Sequence, residues 1–438
     1  MKLSLKRNLT LFDATIYGVG IIIGAGIYAL IGEAAGVSGN AVWLAFLVGA
    51  GISALTGLSY AELSAMYPRE AAEYVYVKKA YQSKFLAFII GWLIIFTGIV
   101  SIATVSLGFA RILGSLVNIP IFIPALLLIF LTSFINYKGI KESSKLNIFL
   151  TAMSVLGLLI VIILGIGKIG SVNYFYSPNG FKGIMTASTL IFFAYIGFED
   201  IVNLSEETKK PKKVIPKALV LAILITASFY VLTSLSAVSL ADWRELAASE
   251  SPLALAASKS LGDYAYVLMS LIAICATAGT VLVINIVTTR MIYGMSIERS
   301  LPSIFSRLHK KNRTPIISII VVFAIASLFI FFQKIAFVAS ITSLGAFITF
   351  TAVNLSLVWL RWRKPKEKRP FKVPLNIGNF PLLSFLGAIF AIFMIYQFDI
   401  EVLVIGLFIL LAGAIVYKIR KDKIIQKELG IKVSKELQ

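Results

Sequence analysis

The sequence predicts an all-α membrane protein with twelve transmembrane helices and both termini on the cytoplasmic side. Three observations carry this. Hydrophobic residues make up 58% of the 438 and charged residues only 14%, against about 25% charged in soluble domains. Twelve apolar runs each approach or exceed the length needed to cross about 30 Å of hydrocarbon. Lys and Arg are segregated: 35 of the 41 fall on the side of the N-terminus, and only Arg111, Lys168, Lys182, Arg244, Lys259 and Lys334 fall on the other. Basic residues concentrate on the cytoplasmic side of membrane proteins. The net charge of +20 is therefore a topology signal facing anionic lipid. A nucleic-acid patch would not be divided over seven short segments.

Residues 1–10 form a basic cytoplasmic N-terminus, read as leading into a retained first helix and not as a signal peptide. Thr10 and Asp13 give a capping signal for span 1, over 11–36. Spans 2 to 5 follow at 41–66, 86–112, 121–137 and 147–166. The inner connection 67–85 carries tyrosines and lysines that suit a helix lying along the membrane interface. Glu62 and Arg69, flanking "LSAMYP", read as structural residues at a cytoplasmic helix end. Spans 6 to 10 are 183–206, 218–240, 263–289, 315–333 and 338–360. The outer connection 241–262 reads as a short amphipathic helix over the mouth. Spans 11 and 12, at 380–398 and 401–417, are separated by a two-residue turn at Asp399 and Ile400. Residues 418–438 form a charged cytoplasmic tail, mobile or helical at the surface.

Two spans are interrupted. Span 1 contains "YGVGIIIGAGIYALIG", and glycine costs a helix interior about 1 kcal/mol relative to alanine. Close helix packing through Gly20-x-x-x-Gly24 is one reading. A broken helix whose freed backbone groups bind a ligand at the midplane is the other. Span 6 reads "TLIFFAYIGFEDIVNLSEET", with Ala194 to Gly197 at its middle and Glu199 and Asp200 directly after. Acids suit the first turn of a new half-helix. An intramembrane carboxylate is equally a candidate for gating or ion coupling. If spans 1–5 and 6–10 are two repeats, each holds five spans, so the second is inverted, and the two breaks fall at corresponding places. Paired interruptions of that kind mark transporter binding sites.

Several stretches resemble the amino acid–polyamine–organocation superfamily, in particular amino acid permeases related to the cationic and light-subunit transporters. They are "GVGIIIGAGIY", "YAELSAMYPREAAEYVYVKKAY", "INYKGIKESSKLN", "FFAYIGFEDIVNLSEETKKPKKVIPKAL", "TRMIYGMSIERSLPSIFSRLHKKNRTP" and "RPFKVPL", in family order over nearly the whole chain. The resemblance implies a leucine-transporter-like fold: a five-helix repeat at 11–166, its inverted counterpart at 183–360, and two extra helices at 380–417. It implies that a substrate carboxylate meets N–H groups of Gly24, Ala25 and Gly26, which agrees with the preference of a helix N-terminus for anions. The amino group would meet carbonyls near Val19, Ile22, Phe193 and Ile196, beside Gly197. Phe193 takes the aromatic gate position, and Glu199 is the gating or coupling carboxylate.

Relatives often carry a lysine within span 5 where this chain has Ser154. A cation site built from the Val19 and Ile22 carbonyls, Ser154 and Thr277 or Thr280 then becomes a candidate, with sodium or a proton as the coupling ion. Hydroxyls that bond back to their own helix are the competing reading. "SIERS" at 296–300 departs from the family pattern, with Glu298 and Arg299 keeping an acidic and a basic position. Ser101 and Thr104 are candidates for the side-chain pocket.

Cys275 and His309 are the only cysteine and histidine, so disulfides, His/Cys metal sites and Cys–His or Ser–His catalysis lack their parts. The sequence therefore predicts a secondary amino acid transporter of the cytoplasmic membrane, not an enzyme. Its partners are an amino acid, a proton or sodium ion and lipid, with no cofactor and the oligomeric state left open. The alternatives are a carrier of a polyamine or other organic cation and a non-transporting membrane subunit.

Overall fold

The computed structural model describes residues 9–68, 72–206, 208–309, 312, 314–332 and 334–436. Side chains are described for these except 140–145, 147, 203–206 and 421–436. Arg69 lies outside the described residues. The chain is helical almost throughout, with one short hairpin, Asn376–Ile377 (β1) against Phe380–Pro381 (β2).

Span 1 is two helices, α1 (Leu11–Ile22) and α2 (Ala25–Ser38), parted at Ile23 and Gly24. The predicted cap is present. The Asp13 N–H donates to the Thr10 hydroxyl at 3.3 Å, and the Asp13 carboxylate accepts the Thr10 N–H at 2.8 Å. Next come α3 (Val42–Met66), α4 (Ala72–Tyr81), α5 (Lys84–Gly114), α6 (Phe122–Lys138) and α7 (Ile140–Ile166). Span 6 starts as α8 (Gly180–Ile191) and tightens into a 3-10 segment, Phe192–Tyr195. It breaks at Ile196 and Gly197, then continues as a second 3-10 segment, Phe198–Glu206. The half-helix expected after Gly197 is therefore wound more tightly than an α-helix.

Pro211, which needs no amide partner in a first turn, opens α9 (Pro211–Leu240). The 241–262 connection folds as α10 (Trp243–Ala248) and α11 (Pro252–Leu261). The remaining helices are α12 (Asp263–Ile297), α13 (Ile316–Phe329), α14 (Ile335–Arg363), α15 (Leu382–Ile395) and α16 (Ile400–Glu436).

Eight helical runs among the described residues are long and apolar enough to cross a bilayer. Four shorter apolar helices lie at Leu11–Ile22, Phe122–Lys138, Ile316–Phe332 and Leu382–Ile395. The protein is thus an all-α, multi-pass integral membrane protein. Its outward faces are apolar, as Phe130, Ile163, Leu328 and Phe408 show by their exposure.

Within the 67–85 connection, α4 buries Glu73, Tyr74 and Tyr76 and packs on α5 and α14. The tail is not separate from span 12, because α16 continues unbroken through it to Glu436.

At the end of α3, Glu62 is fully buried between two arginines. Arg361 Nε donates to it at 2.9 Å, Arg369 Nε lies 2.9 Å away, and the Val373 N–H donates at 2.8 Å. The structural role read for Glu62 is visible here. It ties α3 to the end of α14 and to the loop before α15.

Candidate functional site

The site begins where α1 and α2 part. Ile23 (ψ 83°) and Gly24 (φ −129°, ψ −142°) leave helical geometry. The first N–H groups of a helix have no intrahelical acceptor. In this conformation the Gly24 N–H donates to the Ile22 carbonyl at 2.8 Å, and the Ala25 N–H donates to the Thr280 hydroxyl of α12 at 2.9 Å. The break in span 6 faces this one closely. A Cβ on Gly26 would sit 2.5 Å from Ala194 Cβ and closer still to its Cα. Gly197 has φ +116°, which favours glycine, and the Glu199 carboxylate accepts its N–H at 2.9 Å. Glu199 therefore does act as a local cap, while its carboxylate also lines the cavity described next.

One tyrosine joins the two breaks. The Tyr230 hydroxyl of α9 lies 2.6 Å from the Ile22 carbonyl oxygen and 2.9 Å from that of Ala194, donating to both in a bifurcated bond. On the other side of α2, the Tyr28 hydroxyl donates to the Ser154 carbonyl at 2.6 Å. The remaining glycines divide by role. Gly20 packs on Thr151 of α7, and Gly18 on Ile201 and Ala222. The packing reading thus suits the first half of the motif and the break reading its second half.

Beside the two breaks lies a cavity of about 100 Å³, room for roughly seven to ten waters. Its wall contains Ile22, Gly24, Ala25, Gly26, Phe193, Ile196, Gly197, Glu199, Ser154 and Thr280 from the predicted set, and Ser101 from α5. Three predicted residues stand outside it. Val19 accepts the Ile23 N–H at 2.7 Å within its own turn. Thr277 is fully buried and donates to the Ala273 carbonyl, and Thr104 donates to Val100. Ser154 and Thr280 line the cavity but also donate to their own helices, at Leu150 and Ala276. The Ile22 carbonyl, expected to be free, already accepts from Gly24 and Tyr230.

The sequence reading missed Tyr60, Glu73 and Tyr230 and read Asp200 only as a first-turn acid of the half-helix. Tyr60, Glu73 and Asp200 all line the cavity wall. The available signal for Glu73 was an acid between alanines and aromatics in "AAEYVYV", a poor composition for a solvated helix face.

The sequence profile of the family described as "Amino acid permease" matches residues 9–418. The chain is 27% identical to the branched-chain amino acid permease BcaP of Bacillus subtilis (strain 168), over 94% of this chain and 93% of that protein. It is 28% identical to the methylthioribose transporter of the same organism, over 87% of each. It is 29% identical to cationic amino acid transporter 4 of Mus musculus, over 83% of this chain and 61% of that longer protein. With the profile covering nearly the whole chain and both broken spans inside the match, this membrane protein belongs to the amino acid permease family of the amino acid–polyamine–organocation superfamily, a family of transmembrane transporters and not of enzymes.

Proposed function

We propose that the protein is a secondary active amino acid transporter of the cytoplasmic membrane, working by alternating access with substrate bound between the two helix breaks. One observation carries this most directly. The breaks in spans 1 and 6 meet at a single cavity, with the N-terminus of α2 on its wall. A helix N-terminus favours an anion such as a carboxylate. With the Gly24 and Ala25 amides already paired, Gly26 is the first donor a carboxylate would meet, and Thr280 is the hydroxyl it would displace. The amine would lie toward Phe193, Ile196 and Gly197, below the Phe193 ring.

In this reading the chain crosses the membrane twelve times, as two inverted five-helix repeats, 11–166 and 183–360, and a final pair at 380–417. Residues 1–10 and 418–438 are cytoplasmic. The cavity wall runs from the breaks to Tyr60, Glu73 and Met291, toward the helix ends richest in Lys and Arg. This conformation is therefore the inward-directed one. The outer side is covered by α10 and α11 packed on α2, beside an Arg111–Glu33 pair at 2.9 Å. A cation gradient or exchange would drive turnover. Among the sodium-site candidates, Ile22, Ser154 and Thr280 remain at the cavity, while Val19 and Thr277 are not on its wall.

Uptake and counterflow of amino acids in proteoliposomes test the reading. Saturable exchange of at least one amino acid is expected, and competition is lost when that amino acid is methyl-esterified. No saturable uptake by folded, inserted protein overturns it. A polyamine or other organic cation is the second reading. It is favoured by a cavity wall that holds Glu73, Glu199 and Asp200 and no Lys, Arg or His among the described residues. Competition that survives esterification would select it.

A further inference from the structure

A second and larger hollow lies at the end of α14, away from the helix breaks. Its volume is about 450 Å³, within the roughly 300–1,000 Å³ of small-molecule sites. The wall is made by Val358, Trp359 and Trp362 of α14, by Pro365, and by Asn379 and Phe380 of the hairpin. It is mostly apolar and aromatic. The Trp359 and Trp362 rings meet edge to face at 5.0 Å, and Trp359 stacks on Tyr81 of α4 at 6.1 Å. Trp362 is nonetheless 73% exposed. Arg361 also reaches the wall, but its guanidinium is committed to Glu62 and Asn376.

The frame around this groove is fixed. The Asn379 amide donates to the Arg361 carbonyl and holds the hairpin against the helix end. The Arg369 guanidinium donates to the carbonyls of Leu360 at 3.3 Å, Lys364 at 3.2 Å and Glu367 at 2.8 Å, so the last turn of α14 and the 364–369 loop are tied together. The groove is therefore preformed, and an occupant need not order it.

Its surroundings state the chemistry of that occupant. The hairpin exposes Leu375 and Ile377, each 68% accessible, beside Trp362 and Phe380. Basic residues interleave with them: Arg363 and Lys364 directly follow Trp362, and Lys366 follows Pro365. Lys364 lies 3.8 Å from Glu367, whereas the exposed Arg363 and Lys366 form no ion pair among the described residues. The Trp359 Nε1–H is shielded from solvent and has no partner among the described residues, so the wall is short of an acceptor. Tryptophan is enriched at the headgroup level of a bilayer, where one end of the ring is apolar and the other wet. An acidic peptide would leave the exposed Leu375, Ile377 and Trp362 uncovered. A molecule with a long apolar body and an anionic, acceptor-rich head matches both halves.

We infer that this groove binds an anionic glycerophospholipid. One acyl chain lies along Val358, Trp362 and Phe380, and the phosphate lies among Arg363, Lys364 and Lys366. The sequence predicts 361–372 on the cytoplasmic side, whose leaflet carries the anionic lipids. The inference rests on membrane insertion and not on transport.

Tryptophan quenching by brominated lipid tests it. The full chain is placed in vesicles of fixed phosphatidylcholine and phosphatidylglycerol content, with bromine on the acyl chains of one lipid or the other. Per brominated molecule, phosphatidylglycerol is expected to quench the wild type more strongly, and high salt should shrink the excess. Trp359→Phe with Trp362→Phe should abolish the excess, leaving Trp43, Trp92 and Trp243 to report general lipid contact. Arg363→Gln with Lys366→Gln, both at exposed positions, should lower the relative affinity for phosphatidylglycerol by up to about fivefold per charge removed. Equal quenching by the two lipids in the wild type overturns the site, as does an excess that survives either double variant. Quenching of Trp359 and Trp362 by neither lipid would mean that protein covers the groove, and overturns it too. Should the tryptophan variant fail to fold, the charge variant alone decides.

Discussion

Gly26→Ala is the smallest change that separates a substrate site from mere helix packing. The added methyl carbon falls 2.5 Å from Ala194 Cβ and closer to Ala194 Cα, whereas carbon atoms pack comfortably at about 3.5–4.0 Å. One partner is backbone, so no rotamer change relieves the clash. The two breaks must move apart by about 1 Å. Overpacking of this kind costs about 1–3 kcal/mol, which is about 5- to 150-fold in an equilibrium. Because the strain falls between the two segments proposed to hold the substrate, the loss should be read in binding. Stability should change less, since replacing a helical glycine by alanine returns about 1 kcal/mol. Gly51→Ala is the matched control, because a methyl added there meets no heavy atom within 4 Å. The assay is counterflow in proteoliposomes together with thermal unfolding. Gly26→Ala should raise the half-saturating concentration at least about fivefold while the control behaves as wild type, and Gly26→Leu should abolish uptake in protein that still inserts. Wild-type affinity in Gly26→Ala would refute the idea that contact between the breaks shapes the site.

Tyr230→Phe removes the hydroxyl that bridges Ile22 and Ala194. Leaving buried carbonyls short of a donor costs about 1–3 kcal/mol, so turnover should fall with insertion intact, and an unchanged counterflow rate would deny the bridge a role. Glu62→Gln leaves Arg361 and Arg369 buried without their carboxylate. Breaking a buried pair from one side costs about 3–5 kcal/mol, so the melting temperature should drop sharply, and an unchanged melt would refute the clamp. Arg111 pairs with Glu33 at 2.9 Å and Glu250 at 3.6 Å, all partly exposed. A double-mutant cycle on Arg111 and Glu33 should give about 0.2–1 kcal/mol of coupling that shrinks as salt rises; coupling insensitive to salt would mean the pair is shielded from solvent.

The sequence by itself determined what depends on neighbours along the chain. Apolar run length located the membrane helices, the Thr10–Asp13 pairing began α1, and glycine at Gly24 and Gly197 marked where two helices part. These follow from local hydropathy and backbone freedom, which need no partner across the fold. Only the tertiary structure decided which faces look inward. Thr277 and Thr280 are three residues apart on α12, yet only Thr280 lies on the cavity wall, while Thr277 is buried outside it. Glu73 sits on a helix whose charge and tyrosines suggested an interface, and becomes a cavity residue because α5 and α14 close over it. Tyr230 looks like any aromatic in a membrane span until its hydroxyl is found between two carbonyls 172 residues apart in sequence, those of Ile22 and Ala194. Side-chain direction around a helix is set by its partners, and those partners come from distant parts of the chain. Helix breaks are therefore written locally, while the groups that surround them are chosen by packing.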